Sequence, residues 1–513
     1  MKNEKLVLTI DFGTQSVRAL IINDKGETKA MEKVPYEKPY FSPRPGYAEQ
    51  DPEFYWEKMK IATRALSTKY PDLLKNVSAL GITTFRDSAI LLDENYQPLR
   101  PMILWLDQRQ AALKKDVSII KKLAFAITGM TETIILNRKR TPAIWIQENE
   151  PEIWAKTRYY INISTYIMYK ATGKLIDSVA NQTGHFPVNF RKRRWHTNHA
   201  LKNIFDIPRS MLCDTVQPGE ILGTISEKVS QETGIPSGLI LYASGTDKGS
   251  ETIGTGCVTS RMASISYGTA SSIEISNTKY IEPETFLPAY PAPISDLYQM
   301  EVQVYRGYWM VSWFIKEFGN NETLEANIIE MATEELLNNK MMEIPAGSEG
   351  LVLQPYWGPG LKRPLAKGAI VGFSDYHTRH HVYRAIIEGI AFALLEGMKG
   401  IEAKQHQKIE KIRVSGGGSQ SDAICQITAD IFGIPVERIQ TYETASLGTA
   451  IAVFLASGVF KTHHEAIEAM VHPTKQFIPN MENHLKYAYL YKKVYRKIYP
   501  RLGKVYKSIK KFN

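Results

Sequence analysis

A short glycine turn between two apolar runs occurs twice in this chain, and that repeat limits what the chain can fold into. The first copy is Leu6 to Asn23, LVLTIDFGTQSVRALIIN; the second is ASISYGTASSIEIS at residues 263–276. Alternation with period two marks half-buried strands, and a glycine between two such runs makes a hairpin. Aligned, Phe12-Gly13-Thr14 falls on Tyr267-Gly268-Thr269, and Ser16 falls on Ser271. One copy alone fits an ordinary hairpin with a polar turn. Two copies, one per half, predict related domains facing one polyphosphate, because each turn sets hydroxyls beside free backbone N–H groups that can cradle an anion. Asp11 ends the first strand with a carboxylate suited to a hydrated Mg²⁺. The matching position in the second copy is Ser266, so the metal-associated acid belongs to the first half only.

The 513 residues are too many for one hydrophobic core and fit two domains. No run of about 18 apolar residues is present, so no membrane span is expected. No apolar signal core precedes the first strand, and Cys213, Cys257 and Cys425 share no CxxC spacing. Neither a zinc site nor a disulfide framework is expected, and a reducing cytoplasm fits. The net charge of +10 is local: His484 to Asn513 holds ten Lys and Arg and no acid. Without those ten, the 63 basic residues fall to 53, equal to the 53 acidic ones. Tyr491, Tyr495 and Tyr499 recur there at helical spacing, which predicts a packed terminal helix with a solvated basic face rather than a nucleic-acid footprint.

Along the chain, strands are expected near Thr28–Val34, Val77–Thr84, Ala89–Asp93 and Met102–Asp107, and a helix over Pro52–Leu66. The strand Val77–Thr84 delivers Arg86 and Asp87 to its C-terminal end, where open α/β sheets bind ligands. Residues 110–205 read as irregular helix, and Asn137-Arg138-Lys139-Arg140 within them as a solvated basic face or an anion contact. Leu239–Ala243 is a short strand entering Gly245-Thr246-Asp247-Lys248-Gly249. Asp247 stands where a helix starts, which suits an N-cap or a general base. Later come a Pro-rich loop over 280–300, Arg306-Gly307 before a helix, a loop at Trp357-Gly358-Pro359-Gly360, and a long apolar helix from His381 to Gly400. Strand Lys411–Ser415 then meets Gly416-Gly417-Gly418 and a helix N-terminus, a bed for a nucleotide. A strand Pro435–Ile439 and a helix Glu443–Gly458 follow.

These ordered motifs resemble the FGGY family of carbohydrate kinases, over roughly Leu6 to Pro500. The resemblance is carried by IDFGTQSVRA at 10–19, ILWLDQR at 103–109, GTDKG at 245–249, SYGT at 266–269 and SGGGSQSDAICQITADIFGIPV at 415–436. Gly368 to Phe373 followed by His381 to Glu388 resembles a further family signature, with Phe373 where a smaller aliphatic is usual. The resemblance implies an α/β fold of two actin-like, ribonuclease H-like ATPase domains with an interdomain cleft. The expected divisions are 1–255, 256–470 and a basic helical tail, 471–513. It implies ATP in the cleft with Mg²⁺ associated with Asp11. Thr14, Ser16 and Arg18 match the first phosphate loop, Gly268 and Thr269 the second, and Gly417 the nucleotide turn; Ser421 falls where glycerol kinases have Asn near adenine. Asp247 matches the family's catalytic base, which now outweighs simple capping.

The acceptor side departs from the familiar subgroups. Arg86-Asp87 stands where glycerol kinases pair Arg with Glu, and the Met-His pair typical of xylulokinases is missing. Trp145 is kept, but Pro142 replaces a Lys, Asn137 stands at an aromatic position, and Lys248 follows the base where Gln or Asn is common. The expected activity is transfer of the ATP γ-phosphoryl group to a hydroxyl of a small sugar or polyol. Arg86, Asp87, Trp105, Asn137, Asp247 and Lys248 are the expected acceptor contacts. A four- to six-carbon ketose or polyol such as xylulose is expected, with glycerol the alternative. From other classes, an actin- or chaperone-like ATPase switch and a non-catalytic sugar sensor remain. A homo-oligomer is left open; no nucleic acid or membrane partner is expected.

Overall fold

The computed structural model describes residues 4–512 apart from 285–286, 359–362 and 364. Pro359 and Gly360 of the expected loop lie outside the described residues. Two sheets carry the fold. The first runs in the order Ile221–Thr224, Ile240–Tyr242, Val77–Thr84, Leu6–Phe12, Ser16–Asn23, Thr28–Pro35. The second runs Tyr290–Pro291, Tyr298–Val304, Ser271–Asn277, Met262–Tyr267, Lys411–Ser415, Val436–Ile439, Pro473–Phe477. Each has a hairpin extended by a third antiparallel strand on one side and parallel strands on the other. The repeat read from the two glycine turns is therefore a repeat of whole sheets.

Both faces of the first sheet are buried, so its central strand is apolar at nearly every position rather than alternating. Leu8, Ile10 and Phe12 face a core that includes Tyr55, Trp56, Met59 and Leu66 of helix Pro52–Lys69. Asp51 caps that helix by accepting a hydrogen bond from the Glu53 N–H. Val7 faces a second cluster, built with Leu447, Ala450, Ile451 and Phe454 of helix Thr444–Ala456. Each of these leucines, isoleucines and phenylalanines contributes roughly 1.5–3 kcal/mol by leaving water. Thus a helix late in the sequence covers the first sheet and ties the halves together. It crosses helix Asp247–Gly254 at the two glycines Gly254 and Gly448. A Cβ on Gly448 would lie 1.8 Å from the Ser250 carbonyl, and one on Gly254 1.8 Å from that of Thr444.

The second sheet packs Ile265, Tyr267, Ile273 and Ile275 against the long helix Arg379–Gln405. The described residues from Pro473 onward pack on this half. Pro473–Phe477 is the sheet's seventh strand, and Tyr487, Tyr491 and Tyr495 are buried in its core. The lysines and arginines beside them are exposed: Lys492, Lys493, Arg496 and Lys497. Residues 110–205 form five helices of six to ten residues with short strands between them. Within 280–300, the stretch expected as loop, lie the two-residue strand Tyr290–Pro291 and the start of strand Tyr298–Val304.

Candidate active site

Three parallel strands of the first sheet end side by side, and each delivers a charged group. Asp11 pairs in register with Thr83, and the Thr83 hydroxyl donates to the Gly245 carbonyl at 2.8 Å. Asp11, Arg86 and Asp247 therefore share one end of the sheet. Facing it across the cleft is the tip of the second hairpin. Thr14, Arg86, Asp87, Trp105, Asn137, Asp247, Lys248, Gly268 and Thr269 all line one cavity of about 1170 Å³.

Asp247 is the first residue of its helix, and the cap is Thr246, whose hydroxyl accepts from the Gly249 N–H at 3.3 Å. The Asp247 carboxylate is thus left to the cavity apart from one bond, accepted from the Lys248 N–H at 2.8 Å. Burial pushes its pKa up to about 6, against the pull of Lys248 and Arg86. Asp11 is buried and its pKa is pushed up to about 7, first by burial and then by Asp247, Glu443 and Glu251, with Arg18 opposing. Arg18 lies 3.3 Å from Asp11 and 3.1 Å from Glu443. Among the described residues no cluster of three metal-ligating side chains occurs. One carboxylate with water and phosphate oxygens is a common Mg²⁺ arrangement, so Asp11 fits such an ion carried by a nucleotide.

Arg86 and Asp87 do not pair with each other. The Arg86 guanidinium donates to Glu301 of the second half at 2.6 Å and lies over the Tyr290 ring. Asp87 accepts from the His185 N–H at 2.8 Å and meets the His185 Nδ1 at 2.8 Å through its second oxygen. Burial alone would raise the Asp87 pKa, but His185 holds it below the ordinary carboxylate range. Asp87 has φ 59°, and Gly184 permits the approach, since a Cβ there would sit 2.3 Å from the Asp87 carboxyl. Glu301 stands beside Glu274 on the neighbouring strand, and burial followed by this like charge pushes the Glu274 pKa up to about 8. His185, Glu301 and Glu274 carried no local sequence signal.

Several expected contacts are also bonded within the protein. Lys248 Nζ reaches Glu251 at 2.7 Å and the Ser266 hydroxyl at 2.6 Å, so it supports the second hairpin rather than the acceptor end. Asn137 donates to its own helix at the Thr133 carbonyl, 3.0 Å away. In the adjoining basic cluster, Arg138 is buried and bonded to Ile204 and Lys115 carbonyls, not solvated. Trp105 is half-buried and forms a wall. Ser16 is buried at the head of its strand. The Ser421 hydroxyl caps helix Asp422–Phe432 by accepting from Ile424 N–H. Gly417 lines a smaller pocket of about 260 Å³ with Tyr308, Trp309 and Glu334, and that pocket shares Gly268 and Thr269 with the large cavity.

Comparison with known proteins gives a consistent result. The profile of the FGGY family of carbohydrate kinases, N-terminal domain, matches residues 6–254, and that of the C-terminal domain residues 263–457. The chain is 25% identical to a xylulose kinase of Lactococcus lactis over 99% of both chains. It is 26% identical to a glycerol kinase of Dechloromonas aromatica over 94% of both. Among solved structures it is similar to a ligand-bound xylulose kinase from Lactobacillus acidophilus, with TM-score 0.82 and 21% identity, covering 98% of this chain and 100% of that one.

Proposed function

The chain belongs to the FGGY family of carbohydrate kinases, phosphotransferases with an alcohol group as acceptor, and we propose that its acceptor is a four- to six-carbon ketose or polyol such as xylulose. The observation that carries this reading is the cavity: Thr14 of one hairpin and Thr269 of the other face the same space as Asp247, Arg86 and Asp87. At about 1170 Å³ that space has room for a nucleotide's phosphates together with an acceptor of this size.

Asp247 takes the proton from the acceptor hydroxyl as the oxygen attacks the terminal phosphorus; the bond to the ADP oxygen breaks, and ADP leaves with its electron pair. A base with a pKa near 6 is ionised at neutral pH yet still able to hold a proton. The two glycine turns fix the phosphates by backbone N–H groups, so positioning and electrostatics supply most of the rate. A Mg²⁺ bound with the nucleotide, held through Asp11, would supply charge neutralisation on the phosphate oxygens. Arg86 and Asp87, each already held by a partner, present a fixed donor and acceptor to neighbouring hydroxyls. The buried thiols Cys213, Cys257 and Cys425 are unpaired, which suits the cytoplasm.

An ATPase switch would need no such acceptor wall, and a sugar sensor no ionisable base at Asp247. The test is ADP release across ketoses, polyols, sugar acids and glycerol. Release that depends on a four- to six-carbon acceptor supports the reading. Glycerol as the best acceptor, or ADP release independent of any acceptor, refutes it.

A further inference from the structure

Gly268 and Thr269 lie where the small pocket opens into the large cavity, so a triphosphate running between the two must pass them. The turn at residues 306–309 is clamped onto this point. Tyr308 N–H donates to the Gly268 carbonyl at 3.1 Å and Trp309 N–H to that of Thr269 at 3.2 Å. Gly307 makes the contact possible, since a Cβ there would lie 2.1 Å from the Ser271 hydroxyl. Arg306, next to it, is half-buried, lines the large cavity and stacks over Trp309 at 5.1 Å. Trp309 in turn lines the small pocket.

Of the cations on the cavity wall, Arg306, Arg140, Arg191 and Lys367 have no ion pair among the described residues, and of these Arg306 stands in the turn bonded to Gly268 and Thr269. Arg86 pairs with Glu301, Arg18 with Asp11 and Glu443, Arg109 with Asp107 and Glu49, and Lys248 with Glu251. Arg306 has no ion pair and no side-chain hydrogen bond among the described residues. A guanidinium held half out of water beside an anion-cradling turn is a fork awaiting a phosphate or carboxylate.

We propose that Arg306 binds the terminal phosphate of the nucleotide at the junction of the two pockets. The proposal rests on the kinase reading and adds a residue that the phosphate-loop motifs do not include. Its planar fork contacts the phosphoryl oxygens, while the Trp309 ring holds the guanidinium plane in place. Because the contact is to the terminal phosphate, it separates ATP from ADP.

The test is calorimetric binding of ADP and of a non-hydrolysable ATP analogue, both with Mg²⁺, to the full chain and to Arg306→Ala and Arg306→Lys. Arg306→Ala is expected to weaken the analogue at least about tenfold, the scale of a lost charge-assisted pair, with ADP changed less than about twofold. Arg306→Lys is expected to recover part of the loss, and the acceptor KM to stay put. Equal weakening of both nucleotides, no weakening of either, or a raised acceptor KM with intact analogue binding overturns the proposal. Should the alanine variant fail to fold, as judged by circular dichroism, the lysine variant carries the same ATP-against-ADP comparison. If the parent chain binds neither nucleotide, the kinase reading falls as well. If it binds both and Arg306→Ala changes neither, only the assignment of Arg306 falls.

Discussion

Replacing Asp247 with Asn is expected to separate activity from stability. The substitution keeps shape and the bond accepted from Lys248 N–H, but removes the base. Turnover should fall about 10²- to 10⁴-fold, the usual contribution of a positioned proton acceptor. Stability should move the other way at alkaline pH. A carboxyl whose pKa is higher in the fold favours the fold below its ordinary value of 3.8. It loses that contribution as the pH climbs through about 6. At pH 8 the charged carboxylate therefore costs the native state up to roughly 3 kcal/mol, and at pH 5 roughly half of that. The Asn variant carries no such charge. For a chain of 513 residues this corresponds to a Tm gain of about 1–3 °C at pH 8, shrinking towards acid. Scanning calorimetry at pH 5 and pH 8 and a coupled ADP assay read both effects. Turnover within tenfold of the parent removes Asp247 from the chemistry; a pH-independent Tm change refutes the burial argument.

The acidic limb of kcat/KM is expected to fall with an apparent pKa near 6 as Asp247 takes up its proton; a flat profile down to pH 5 contradicts it. Asp87→Ala, which removes the partner of His185, should raise the acceptor KM about tenfold or more and leave the ATP KM within about twofold; unchanged acceptor kinetics in that variant speak against the acceptor box. Gly448→Ala should cost more than about 3 kcal/mol, because its Cβ meets a backbone carbonyl at 1.8 Å that no rotamer can relieve; a Tm within about 1 °C of the parent rules that crossing out as a close contact.

What was legible in the sequence is what is written locally. The hairpins, the strand Val77–Thr84 and the charged groups at strand ends follow from runs of six to eight residues whose pattern their own burial imposes. Partners were not legible. Arg86 meets Glu301 across 215 positions and Asp87 meets His185 across 98. No spacing rule links residues so far apart. Local partners were not legible either: the Ser421 hydroxyl and the Asn137 amide each bond their own helix. The strand Pro473–Phe477 escaped notice because four of its five residues are exposed and it starts with proline, as an edge strand allows.

The divergence of the two hairpins gives the cleft a direction. In the first, the strand carries Asp11 one residue before its end, and Arg18 sits between that carboxylate and Glu443, so two acids surround one cation. In the second, the equivalent position is Ser266, which accepts from Lys248; Lys248 is balanced by Glu251, and Arg306 is left over. At the first turn the acids therefore outnumber the cation, while at the second Arg306 stands without an ion pair among the described residues. On the proposed reading, a nucleotide with its metal can satisfy both only with the metal towards Asp11 and the terminal phosphate towards Gly268 and Arg306. The reverse placement would set phosphate oxygens against Asp11 and Glu443. Asp247 stands between the two turns, beside Lys248. On that reading the same asymmetry turns the terminal phosphorus towards Asp247, whose carboxylate accepts only the Lys248 N–H bond among the described residues.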